Sequence, residues 1–289
     1  MDLSGERPPP WKSKHMALIV LGVLLLGLGA SGYALLAKPD HDRLNLLQRW
    51  LVRGVLAKWE RQVNALPEEM QPLVDYDLLL GQLNPGERRL VKQIFAINPL
   101  ELGFKGAFHS LDKPGSLVKI APRTYKLHGQ VKSTGIQYCP EASYGDYLKM
   151  MAQMRRELGR ELFIDSGYRS PGRQAYNFLS YLTKNHNYSL LENARLNALP
   201  GYSEHNAPVD NALDFVNADG INGDNPGQAP EDFERLPEYQ WLLKHAHEFN
   251  FHLSYPRDNQ LGISFEPWHW HWEKPLSPNQ ETKTKISDE

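Results

Sequence analysis

The stretch Gly201–Phe215 reads GYSEHNAPVDNALDF, and the interpretation of the whole chain depends on it. It places one imidazole, His205, close to two carboxylates, Asp210 and Asp214. Imidazole and carboxylate donors together suit a borderline-soft metal such as zinc. Taken alone, the stretch is more consistent with a polar turn that leads into a strand. A metal site therefore needs further donors from elsewhere in the chain.

A second stretch, Phe265–Glu273, reads FEPWHWHWE and supplies those donors. It offers two histidines and a glutamate in a segment with the aromatic content of a strand. The working hypothesis is a hydrolytic zinc site assembled from both stretches, because such a site needs three protein ligands and a carboxylate base. The alternative is an aromatic strand without chemistry.

Composition narrows the classes of protein and of metal site. The 289 residues include a single cysteine, Cys139, which excludes a disulfide scaffold and a cysteine-based zinc site. Any metal must be held by histidine and carboxylate side chains. A formal net charge of −2 gives no basic surface, so nucleic acid is not expected as a partner.

The N-terminal region predicts a membrane anchor. Ala17–Leu36 is an uncharged apolar run long enough to cross a bilayer as one helix, and basic residues precede it. We therefore predict a cytoplasmic tail at 1–15, a transmembrane anchor at 16–37, and a remainder on the periplasmic or extracellular side. A cleaved signal peptide is the rival interpretation, although the apolar run is longer than usual for one.

The remainder divides into a helical region of unknown role at 38–130, a main domain at 131–275 and a flexible tail at 276–289. Apolar periodicity and turn residues predict helices in the first region: His41–Leu66, Pro72–Leu83 and Glu87–Ile97.

In the main domain we predict three further helices: Tyr144–Leu162, one from Pro171 to about Asn185, and Glu238–Asn250. Predicted strands are Leu162–Asp165, Phe251–Tyr255 and Ile263–Trp272, the last two as a hairpin. The segment 217–227 is a turn-rich insertion, because its acidic residues do not have calcium-loop spacing.

Three separated motifs give the chain a family resemblance. Ser166–Ser170 reads SGYRS, with Gln174 following. Ser203, His205, Ala212 and Asp214 fit the ends of a pattern SxHxxGxAxD, and Glu266, Trp268 and His269 fit ExWH. In this order the motifs resemble the zinc D-alanyl-D-alanine carboxypeptidases of the VanY type, which are related to the VanX dipeptidases. The resemblance covers roughly residues 137–274.

The resemblance implies an α+β fold in which a small antiparallel sheet, flanked by helices, carries one zinc ion. It implies peptidoglycan stem peptides as substrate, with hydrolysis of a C-terminal D-alanine. The zinc ligands it implies are His205, Asp214 and His269. The catalytic residues it implies are Glu266 as acid and base, and Arg169 as polarising or orienting group. Substrate-binding residues are expected at Ser203, Gln174 and Tyr168.

One departure from the family pattern leaves alternatives open. Asp214 follows His205 by two residues more than the family's spacing, and Asp210 lies where the family has glycine. Asp214 is preferred because Ala212–Phe215 keeps the strand pattern, with Asp210 as the alternative. The longer loop could also mark a non-catalytic homologue, and a wall endopeptidase of the same family is a further possibility. His271 is interpreted as a packing or supporting residue and Glu204 as a surface or supporting residue. The sequence does not indicate an oligomeric state.

Overall fold

The computed structural model describes residues 37–112 and 115–275. The predicted cytoplasmic tail, the apolar run of the predicted anchor and the tail at 276–289 lie outside the described residues. Within the described ranges, no helix has both the length and the apolar character needed to cross a membrane.

The described part of the chain begins with a helical layer. Its helices are α1 (Leu46–Asn64), α2 (Tyr76–Gly81) and α3 (Pro85–Phe95), with 3₁₀ turns at Glu68–Leu73 and Pro99–Leu102. Capping boxes start α1 and α3, because the side chains of Asn45 and Asn84 accept from backbone N–H groups that have no partner within the helix.

The predicted helix Pro72–Leu83 is wrong as a single element. Its first residues belong to the 3₁₀ turn, and the chain then extends through Val74 before a new helix begins. The reason is local, since the Asp75 side chain accepts hydrogen bonds from the N–H groups of Asp77 and Leu78 and so caps α2.

Two small antiparallel pairs follow the helical layer. Strand β1 (Leu117–Ile120) pairs with β4 (Gln137–Pro140). Between them, β2 (Thr124–Leu127) and β3 (Gln130–Ser133) form a hairpin. The β1–β4 pair joins residues from either side of position 130.

The remaining elements surround a four-stranded antiparallel sheet with the strand order β5-β6-β8-β7. The strands are β5 (Leu162–Ser166), β6 (Ala212–Asn217), β7 (Phe251–Leu253) and β8 (His269–Trp272). The helices are α4 (Glu141–Leu158), α5 (Pro171–Lys184), α6 (Leu190–Ala194), α7 (Pro230–Glu234) and α8 (Pro237–His245). Short 3₁₀ turns occupy Glu204–Asn206 and Ala246–Phe249. The α+β class implied by the resemblance is confirmed.

The predicted hairpin is shorter than expected. Strands β7 and β8 are paired, but the strand predicted from Ile263 forms only from His269 onward. The connecting segment is irregular and is fixed by side chains instead; Asn259 Nδ2, for example, donates to the carbonyls of Pro256 and Ile263. This segment carries Glu266 to the edge of the sheet.

Two hydrophobic cores support this arrangement. One lies between the sheet and helices α4 and α8, and it includes the methionines of α4 and the tryptophans of β8. The other joins the N-terminal helices to α5 and α6, with Trp59 and Phe178 both fully buried in it. Close backbone approach also ties the two regions, because a Cβ at Gly172 would lie 2.3 Å from the Val74 carbonyl oxygen. The helical region at 38–130 therefore packs directly on the helix that follows the SGYRS loop.

Candidate metal centre

The first two predicted ligands meet at the end of strand β6. His205 lies in the 3₁₀ turn Glu204–Asn206, and Asp214 is the third residue of the strand. His205 Nε2 is 3.1 Å from Asp214 Oδ2, and the imidazole is almost completely buried. Because side chains alternate in direction along β6, Leu213 and Phe215 point into the core and Asp214 faces the opposite side.

The neighbouring strand supplies the third predicted ligand. His269 begins β8 and is the direct cross-strand partner of Asp214. Its Nδ1 lies 2.8 Å from Asp214 Oδ1. One ligand atom from each of His205, Asp214 and His269 falls within 4.8 Å of the others, and these residues form the only such group in the part of the chain that the structure describes.

Hydrogen bonds fix which nitrogen of each histidine is free for a metal. His205 Nδ1 lies 2.8 Å from the Gly167 carbonyl oxygen, which can only accept, so Nε2 is left facing Asp214. His269 Nε2 lies 2.9 Å from Glu204 Oε2, so Nδ1 is left facing Asp214. Two imidazole lone pairs and a carboxylate thus converge on one point, which is the donor set that zinc accepts.

The protonation preferences of His205 and Asp214 agree with this donor set, whereas His269 must release a proton to a metal that binds it. Burial, together with the charge of Arg169, lowers the pKa of His205 to about 4, so this ring is neutral at pH 7. Burial would raise the pKa of Asp214, but the two histidines outweigh it and hold that pKa well below its usual range. For His269, burial lowers the pKa, but the hydrogen bonds to Asp214 and Glu204 outweigh it and raise the pKa to about 10. A cation is therefore electrostatically favoured between the three side chains.

Glu266 stands beside the three predicted ligands. Its Oε2 is 3.9 Å from His269 Nδ1, and its backbone N–H donates to the Tyr255 carbonyl at 3.1 Å. Burial raises the pKa of Glu266 to about 8. A carboxyl group with such a pKa can both accept and donate a proton near neutral pH.

Arg169 approaches from the SGYRS loop. Its backbone N–H donates to the His205 carbonyl at 2.9 Å, and one guanidinium nitrogen donates to Ser166 Oγ at 3.0 Å. The same nitrogen lies 3.9 Å from Asp214 Oδ2. Its buried Nε has no hydrogen-bond partner among the described residues, so a donor remains for a substrate oxygen.

An open cleft gives access to the centre and contains most of the predicted substrate-binding residues. Gln174 and Ser203 line it. Gln174 Nε2 donates to the Ala198 carbonyl at 2.7 Å, which leaves its buried Oε1 without a partner within the described chain.

Tyr168 is placed differently from the prediction. Its ring is 1% exposed and lines a separate groove, together with Val74 and Pro171. Its backbone N–H donates to the Tyr138 carbonyl at 2.6 Å, which turns the residue toward strand β4. The structure therefore does not bring Tyr168 to the cleft.

The structure separates the two candidate aspartates. Asp210 is exposed and its Oδ1 accepts from the backbone N–H of Lys274 at 2.9 Å, away from the histidines. The two additional residues are taken up in the bend before Asn211. The carbonyl of Asn211 accepts from the Trp272 N–H at 3.0 Å, which fixes the start of β6 against β8.

Two further carboxylates lie at the site: Glu204, which was interpreted only as a surface or supporting residue, and Asp224, which was not predicted there. Glu204 is 14% exposed and contacts His269 and, at 3.4 Å, His271. Asp224, in the turn-rich insertion, lines the cleft. The sequence offered only a weak signal for either, namely a carboxylate directly before His205 and one in a loop after β6.

The fold and the site together define a class of protein: a small α+β domain in which two histidines, one aspartate and an adjacent glutamate surround a single point. Residues 140–275 match the profile of the VanY family, described as D-alanyl-D-alanine carboxypeptidase. Residues 140–275 are therefore similar to this VanY-type family, and the predicted resemblance is confirmed for this part of the chain.

Individual relatives agree with the family match. A D-alanyl-D-alanine carboxypeptidase from Enterococcus faecium is 39% identical over 75 residues, which is 25% of this chain and 20% of that protein. The chain thus matches about a fifth of the length of this relative. Similar solved structures include a mutant of the vancomycin-resistance D,D-pentapeptidase VanY in complex with Zn(II), at 23% identity and a TM-score of 0.39, covering 58% of this chain and 84% of that one. The LdcB LD-carboxypeptidase is 21% identical with a TM-score of 0.42, covering 66% of this chain and 84% of that one.

Proposed function

We propose that the protein is a zinc-dependent carboxypeptidase that removes the C-terminal D-alanine from peptidoglycan stem peptides. The observation that carries the proposal is the convergence of His205, Asp214 and His269 within 4.8 Å, with Glu266 beside them. The VanY family match supports the substrate class. One zinc ion held by the three side chains would supply a water molecule that is deprotonated near neutral pH.

In the proposed reaction Glu266 moves the proton. It accepts one from the attacking water and donates it to the nitrogen of the departing D-alanine. Its burial suits this role because a carboxyl group in a poorly solvated place holds a proton at a higher pH.

Arg169, Gln174 and Ser203 are proposed to hold the substrate. The unpartnered Nε of Arg169 can donate to a peptide carbonyl or to the terminal carboxylate. The unpartnered Oε1 of Gln174 can accept from a peptide N–H. Together they would fix the scissile bond relative to the three ligands and Glu266.

We further propose that this domain acts outside the cytoplasm, held by the apolar run at 17–36. The run's length and the preceding basic residues support this placement. Protease added to intact spheroplasts should degrade the domain, and the full chain should fractionate with membranes. Protection in spheroplasts, with degradation only after lysis, would contradict the placement.

The experiment for the activity combines metal analysis with product analysis. The zinc-loaded full chain should contain one zinc ion and release free D-alanine from purified muropeptides. Glu266→Gln should keep the zinc and lower kcat by about 10²- to 10⁴-fold. Glu273→Gln, an exposed glutamate in the same C-terminal segment, is the matched control and should leave kcat unchanged.

Other results would identify the alternatives. Shortened cross-bridges without free D-alanine would indicate an endopeptidase. Bound muropeptide with neither zinc nor any product would indicate a non-catalytic wall-binding protein.

A further inference from the structure

The turn-rich segment at 217–227, together with the following Gln228, is held rigidly beside the cleft. Asn217 Oδ1 accepts from the Ile221 N–H at 2.8 Å, which closes the turn after β6. Gln228 spans the loop, since its Oε1 accepts from the N–H groups of Asn222 and Gly223 and its Nε2 donates to the Gly220 carbonyl. The segment is therefore fixed by its own side chains.

Two contacts attach this loop to strand β5 and to Trp268, the residue before strand β8. Asn222 Nδ2 donates to Asp165 Oδ2 on β5 at 2.9 Å. Gly223 has φ +83°, and a Cβ at this position would lie 2.7 Å from two ring carbons of Trp268. The backbone at Gly223 thus rests on the indole of Trp268, which directly precedes His269. Only glycine permits both this conformation and this close approach.

The result is that Asp224 is presented at the rim of the cleft. Its backbone N–H donates to Asn222 Oδ1 at 2.9 Å, which fixes the residue's position in the loop. Its side chain lines the same cleft as Tyr181, Trp268 and Asp214. Asp224 is exposed at this rim, and within the described residues its carboxylate forms no salt bridge and no side-chain hydrogen bond, unlike the ion-paired carboxylates of Asp146 and Glu231.

The charge of Asp224 and its surroundings favour the binding of a cation. Partial enclosure raises its pKa to about 6, and the negative charges of Asp214 and Asp165 add to this effect. The group is thus ionised at neutral pH. Even where bound zinc offsets the charge of Asp214, the unpaired carboxylate of Asp224 gives a positively charged ligand a gain in electrostatic energy at this rim. Tyr181 and Trp268 line the same cleft, and aromatic side chains also favour a cation.

We propose that Asp224 forms a specificity subsite that binds a primary ammonium group of the peptide substrate. This inference rests on the proposed peptidase function and adds to it the chemical class of one substrate side chain. The ammonium could come from a diamino-acid side chain or from a free α-amine, and both are distinguishable with short peptides.

The test uses zinc-loaded full-length protein and three tripeptides ending in D-Ala-D-Ala. One has lysine with a blocked α-amine, the second has Nε-acetyllysine with a free α-amine, and the third has both amines acetylated. We expect one ammonium peptide to exceed the doubly acetylated peptide in kcat/KM by about tenfold. The peptide that does so identifies the source of the ammonium.

Asp224→Asn should reduce that ratio to about one. Asp219→Asn removes the same charge from an exposed position of the same loop and should leave the ratio unchanged. An equal ratio in the wild type and in Asp224→Asn would overturn the subsite. If no peptide is cleaved, the proposed function fails separately, and dissociation constants for the same three peptides then decide the subsite by the same comparison.

Discussion

Glu204 Oε2 lies 2.9 Å from His269 Nε2, so a carboxylate directly before one predicted zinc ligand orients another. Ser254 Oγ donates to the same oxygen at 2.6 Å and holds the carboxylate in place. The hydrogen bonds of His269 and His271 outweigh burial and keep the pKa of Glu204 well below its usual range. An anionic partner makes the far nitrogen of His269 a stronger donor to a metal.

Glu204→Gln should therefore weaken zinc binding by about 10- to 100-fold. The measurement is competition with a chromogenic chelator at constant pH, and Glu273→Gln is the control. Retention of wild-type zinc affinity in Glu204→Gln would show that this carboxylate does not support the ligand. Thermal unfolding of the metal-free proteins separates this effect from a loss of folding.

The choice of aspartate can be tested with a matched pair of variants. Asp214→Asn should abolish stoichiometric zinc binding, because an amide replaces the one anionic ligand. Asp210→Asn removes an exposed carboxylate that only accepts from Lys274 N–H, so it should retain zinc and activity. The zinc content of both variants is measured by metal analysis after gel filtration. Loss of zinc in Asp210→Asn alone would reverse the assignment.

The ammonium subsite predicts a pH dependence of substrate selection. The pKa of Asp224 is raised to about 6, so its carboxylate is charged above that pH and neutral below it. A lysine ammonium remains charged throughout this range. The preference in kcat/KM for the ammonium peptide should therefore disappear as the pH falls through about 6. In Asp224→Asn the ratio should show no transition there, and a transition in both proteins would point to another group.

The helical region and the site should unfold together. Trp59 is fully buried in the core that also contains Phe178 of α5, and its indole N–H donates to the Leu79 carbonyl. Trp59→Ala should lower the free energy of unfolding by about 3–5 kcal/mol. Trp50→Ala, on the same helix but 68% exposed, should change it by less than about 0.5 kcal/mol. Denaturant curves followed by circular dichroism and by zinc release should coincide, and separate transitions would indicate independent domains.

The sequence was sufficient to predict the three side chains that converge at the candidate metal centre, but not the residues around them. His205, Asp214 and His269 were recognisable because each lies in a motif with its own spacing. Glu204 was interpreted only as a surface or supporting residue, because in an extended segment the side chains of neighbouring residues point to opposite sides. The segment is a 3₁₀ turn, in which successive residues differ by about a third of a turn, so both Glu204 and His205 reach the site.

Long-range packing explains the other differences. Apolar periodicity identified α1 and α4, although their ends shifted by several residues, and it could not reveal that Trp59 shares a core with Phe178. That contact depends on the tertiary arrangement. Asp224 was likewise recognisable only as a loop residue, because its place at the cleft depends on Gly223 resting against Trp268.

The pairing of Asp214 with His269 joins residues 55 positions apart, and His269 opens the last strand of the described chain. During synthesis, the chain therefore contains His205 and Asp214 long before it contains the third donor. If these three side chains bind zinc as proposed, high-affinity binding must wait until nearly the whole domain has emerged and β8 has docked beside β6. For a domain that is exported unfolded, this order of events would place metal loading at the destination rather than at the site of synthesis.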